Sequence, residues 1–185
     1  MRAVLDRLYG FALFLSCAAM AVIALLVLVQ VAGRVIDRAV MWTGGARIGI
    51  AVPSLAEIAG ALFVASAALA LPATLREARH VRVTFASRLG GTAGRGLMLV
   101  MLLLALGFSL FASWHTIQLA LDSWQYGSVS YGRIKIPLFL PQSVMAAGFS
   151  LLSVAIIDEI VSAIREGAPS FRRVEESRGA DEIHE

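Results

Sequence analysis

Polar residues punctuate this chain instead of alternating with apolar ones. Charges gather in short clusters, and four long apolar stretches, uncharged but for Glu57, run between them at about 8–33, 54–75, 96–121 and 137–157. An amphipathic helix of a soluble protein turns a polar stripe to water, so stretches of this length put every face of a helix in an apolar solvent. A hydrocarbon core of about 30 Å takes about 20 helical residues to cross. The pattern predicts an all-α protein, an integral membrane bundle of four transmembrane helices.

The boundaries carry local signals. Arg2 and Arg7 before the first stretch resemble the charged start of a signal peptide, but the apolar run continues past the small residues at 16–19, which favours an uncleaved anchor. Pro53, then Ser54 and Glu57 in S-x-x-E spacing, predict a helix start with a capping box. That second helix is rich in Ala and Gly, including Gly60, and so suits close helix approach in lipid; Pro72 is expected to kink its last turn. Ala105, Ser109 and Ser113 repeat at four-residue spacing as a packing stripe on the third, and Pro137 and Pro141 open the fourth, which Asp158 and Glu159 are expected to end. The expected organisation is a four-helix transmembrane domain over 1–165 and a charged cytoplasmic tail over 166–185. The low apolar content of its end predicts disorder.

Composition agrees: 58% of the 185 residues are apolar and 16% charged, with a mean hydropathy of +0.78. The net charge of +3 does not point to nucleic acid, because the basic residues sit at the ends of apolar runs. Eleven of the sixteen lie in the N-terminus, the second loop and the tail, which by the positive-inside rule puts both termini in the cytoplasm. The single cysteine, Cys17, gives no disulfide framework.

Candidate chemistry is sparse. Arg79, His80 and Arg82 crowd the end of the second helix, where they suit lipid headgroups or a docking partner. Gln30 and Arg34, four apart, can share a face for a partner or a headgroup. Glu57 is one of few carboxylates near a span, with a capping role set against an ion-coupling one. Gly60 and Ser109 are small residues for close contact. His115 stands alone within a span, beside Trp114, so neither haem nor metal is expected and no cofactor is assigned. Phosphate-binding, dinucleotide and hydrolase motifs do not occur, which argues against an enzyme, and the span centres are Ala, Leu, Val and Ser, so no substrate site is visible.

Read in order, Gln30-Val-Ala-Gly-Arg34, Ser54-Leu-Ala-Glu57, Arg79-His-Val-Arg-Val83, Gly127-Ser-Val-Ser130 and Ile136-Pro137 resemble the small membrane subunit, DctQ-like, of tripartite ATP-independent periplasmic (TRAP) transporters. The resemblance covers about residues 5–160. It implies a multi-pass protein of the bacterial inner membrane, forming a heterodimer with a large membrane subunit and served by a periplasmic substrate-binding protein. Its function would be to scaffold that large subunit during cation-gradient-driven uptake, a symport, of an organic acid. The alternatives are an autonomous small homo-oligomeric transporter or channel, and a membrane enzyme or haem anchor.

Overall fold

The protein is described here by a computed structural model covering residues 2–46, 49, 53–76 and 91–166. Four helices dominate: α1 Arg2–Trp42, α2 Leu55–Arg76, α3 Gly91–Gln125 and α4 Phe139–Glu166. Each contains a stretch long and apolar enough to cross a bilayer. Among the described residues the only β-type pairing is an isolated antiparallel bridge, Val129 to Pro137, in the loop before α4.

The helices overrun the apolar stretches that announce them. α1 passes through Arg34, Asp37 and Arg38 without a break, and α4 continues beyond Asp158 and Glu159 instead of ending there. Continuing a helix requires only that the next backbone N–H find its carbonyl, and charged side chains do not prevent that.

Burial on α1 follows a heptad. Leu5, Tyr9, Ala12, Ser16, Ala19, Ile23, Leu26, Gln30, Gly33, Asp37 and Val40 alternate in steps of four and three, and all are buried or half-buried. Apart from Leu13, every other position from 6 to 42 is exposed. A repeat of about 3.5 residues is the seam of a left-handed coil, so α1 turns one narrow stripe inward, to α2 along its N-terminal part and to the following linker near Asp37 and Val40, and leaves the rest outward.

The packing order is α1, α2, α4, α3. This is an open row, not a closed ring. α1 and α2 run antiparallel, with Asp6 beside Arg76 and Ser16 beside Ser66. α2 and α4 run parallel through the middle, with Ala68 against Gly148 and Arg76 near Asp158. α3 returns antiparallel along α4. α2 carries the buried Pro72 in its interior and continues to Arg76.

Candidate functional site

Lipid offers no hydrogen bonds, so hydroxyls within the spans must find partners inside the protein. Thr74 and Thr116 bond back to carbonyls of their own helices, the buried Tyr9 hydroxyl has no partner among the described residues, and six serines pair across helix seams. Ser16 Oγ donates to the Ser66 carbonyl at 2.8 Å while Ser66 Oγ donates to the Ser16 carbonyl at 3.1 Å, joining α1 to α2 reciprocally. Between α3 and α4, Ser109 Oγ lies 2.8 Å from Ser153 Oγ and Ser113 Oγ 2.7 Å from Ser150 Oγ. Nearer the loop, the Gln142 amide, with its NH2 turned to α3, reaches the Leu119 carbonyl at 3.1 Å and Ser123 Oγ at 2.6 Å.

Glu57 sits in the first turn of α2, but its carboxylate reaches across to the loop before α4. Ser130 Oγ donates to Glu57 Oε2 at 2.7 Å. Gly132 packs so closely on the same carboxylate that any Cβ there would collide with it. Ser54 Oγ accepts from the Ile134 N–H at 2.9 Å. The loop is closed on itself by Ser130 N–H to the Ile136 carbonyl, 2.9 Å, and Leu138 N–H to the Ser128 carbonyl, 3.0 Å. This corrects the capping-box expectation. Ser54 has a φ of +55°, outside the extended backbone of a usual N-cap, and both side chains anchor the loop. The helix begins on the Ser54 carbonyl, which accepts from Glu57 and Ile58 N–H.

The other expected site residues are scattered. Gln30 is half-buried on the α1 seam, and Arg34, one turn on, is exposed. Gly60 faces outward, where an added Cβ would meet nothing within 4 Å. Ser109 is buried between α3 and α4, its hydroxyl used within the chain. Arg79, His80 and Arg82 lie outside the described residues. His115 is exposed and packs on Phe111, with ring centroids 4.3 Å apart.

A charged clasp at the opposite end of α2 escaped the sequence reading. The Arg76 guanidinium pairs with Asp6, stands 3.6 Å from Asp158 Oδ2 and lies 5.4 Å over the Tyr9 ring, joining α1, α2 and α4. Glu159, next in the chain, is only 1% exposed. The sequence signal was available: charges of both signs close the same end of three apolar runs.

A family model described as "Tripartite ATP-independent periplasmic transporters, DctQ component" matches residues 23–166, from within α1 to the last residue of α4. The chain belongs to the DctQ family. DctQ is a family of transporter components, not of enzymes, and this DctQ protein is a multi-pass membrane protein of the small-permease type. The family functions with a large membrane subunit and a periplasmic binding protein. Comparison with curated proteins and with solved structures finds no match.

Proposed function

We propose that this DctQ subunit braces the large membrane subunit of a TRAP transporter in the bacterial inner membrane while that subunit takes up an organic acid, delivered by the periplasmic binding protein and driven by a cation gradient. In this reading both termini and the loop between α2 and α3 are cytoplasmic, and the loop before α4 is periplasmic. The observation that carries it is the pairing of the intramembrane hydroxyls. Ser16 with Ser66, Ser109 with Ser153 and Ser113 with Ser150 bond to one another across helix seams. Groups that coordinate a moving solute or ion present free oxygens to a polar cavity, whereas these hydroxyls bond to one another, and the cavity that Ser109 helps to line is otherwise apolar. An open row of helices also suits a brace, since its flanks remain available to a larger partner.

The test is reconstitution in liposomes. The large subunit and binding protein are expected to give gradient-driven uptake only when this chain is present, and this chain alone to give none. Solute flux through this chain alone would favour the autonomous reading.

A further inference from the structure

α2 spans 22 residues, about 33 Å at about 1.5 Å per residue, which is close to the hydrocarbon thickness of about 30 Å. The pairs Asp6 with Arg76 and Ser16 with Ser66 fix the antiparallel register of α1 on α2, and that register sets Leu55, the first residue of α2, level with Val27. α1 nevertheless continues to Trp42. Its last 15 or so residues therefore project about 22 Å past the start of α2.

The two sides of this projection differ. On the seam side the chain's own linker doubles back: Asp37 Oδ1 accepts from the Gly49 N–H at 3.1 Å, and Gly45 lies against Val40. On the opposite side Leu28, Val31, Val35 and Trp42 form one apolar stripe at helical spacing, exposed by 65%, 52%, 62% and 86%. Arg34 and Arg38 border the stripe, both exposed, with no ion-pair partner among the described residues.

We propose that this stripe, residues 28–42 of α1, is the surface on which the large membrane subunit seats, through an apolar helix that carries carboxylates opposite Arg34 and Arg38. The inference rests on the proposed function above and adds the contact face. Three arguments select the occupant. Lipid covers only part of the stripe, because headgroups extend the bilayer by several Å per side and the projection is about 22 Å long. A second copy of this chain would oppose guanidinium to guanidinium. A transient soluble partner would leave apolar residues bare between encounters, whereas a permanent subunit covers them. Anchors at i, i+3 and i+7 are those of a helix lying in a groove.

The experiment uses the complete transporter, purified through a tag on this chain. Benzoylphenylalanine placed at Val31 or Val35 is expected to cross-link to the large subunit. Arg34→Glu with Arg38→Glu is expected to reduce co-purified large subunit by about tenfold or more, and Arg34→Lys with Arg38→Lys to retain most of it. Cross-linking only to lipid, to a second copy or to the binding protein overturns the proposal, as does unchanged co-purification of the charge-reversed variant; in each case the subunit reading survives. If the unaltered chain fails to co-purify a large subunit at all, both fall together.

Discussion

Gly148 of α4 lies against the backbone carbonyl of Ala68 in α2, so that a Cβ at position 148 would stand 2.5 Å from that oxygen and 2.7 Å from the Ala68 methyl. Pro72 explains why that carbonyl is approachable. It is the residue that would donate an N–H to Ala68, and it has none. Close packing of the two central helices thus rests on a proline in one and a glycine in the other. Gly148→Ala is expected to destabilise the solubilised subunit by about 1–3 kcal/mol. Gly60→Ala, where the added methyl meets nothing, should leave it unchanged or slightly stabilised. Thermal unfolding in detergent checks this, and equal shifts for the two variants would contradict it.

Glu57 and Ser130 link α2 to the loop before α4 by a charge-assisted hydrogen bond. Glu57→Gln keeps an acceptor for the Ser130 hydroxyl, so reconstituted uptake is expected to stay near normal. Glu57→Ala and Ser130→Ala should each lower stability by about 1.5–3 kcal/mol, with the double variant little worse than either single one. Abolished uptake by Glu57→Gln in a fully assembled complex would instead give the carboxylate a part in ion coupling.

The clasp at Arg76 holds two unequal partners. The Asp6 side chain is 56% exposed and that of Asp158 23% exposed, so water screens the first far more than the second. Asp6→Asn is expected to lower stability by less than about 1 kcal/mol, and Asp158→Asn by more. A larger loss for Asp6→Asn in chemical denaturation would reverse this ranking.

Ser109→Ala removes one interhelical hydroxyl pair, worth on average about 0.6 kcal/mol in a membrane protein. Ser109→Leu forces a large side chain into the same buried seam and should prevent α3 from docking on α4. Leu104→Ala, at an outward position, is the control and should change little. The yield of monodisperse subunit separates these outcomes.

Orientation is checked with Cys17 replaced by Ser. A cysteine at Tyr131 is expected to react with a membrane-impermeant maleimide in spheroplasts, whereas one at Ser177 should react only after lysis. The opposite labelling would invert the topology proposed from the arginine distribution.

The four helices were legible because lipid permits a long apolar segment hardly any other backbone conformation. Their ends were not, since Arg34, Asp37 and Arg38 mark where apolarity falls and not where hydrogen bonding stops. Ser54 and Glu57 announced the start of α2, but their partners Ser130 and Ile134 lie more than seventy residues away, and nothing local to α2 indicates them. Ala105, read into one stripe with Ser109 and Ser113, is exposed, but those two serines are buried and were visible as part of a four-residue repeat. Ser16 and Ser66 were not, because a lone serine in an apolar run reads the same whether it bonds to its own helix or to another. The clasp needed the packing order of three helices, which composition does not contain.

The heptad on α1 also fixes an angle. Each residue of a helix advances about 100°, so inserting one residue between Ser16 and Gln30 would swing Arg34, Arg38 and Trp42 about a quarter-turn away while the N-terminal half stayed seated on α2. Inserting seven would raise them by about 10 Å with only about 20° of rotation. α1 therefore works as an indexed shaft, in which the distance in sequence from Ser16 determines the direction its far end faces.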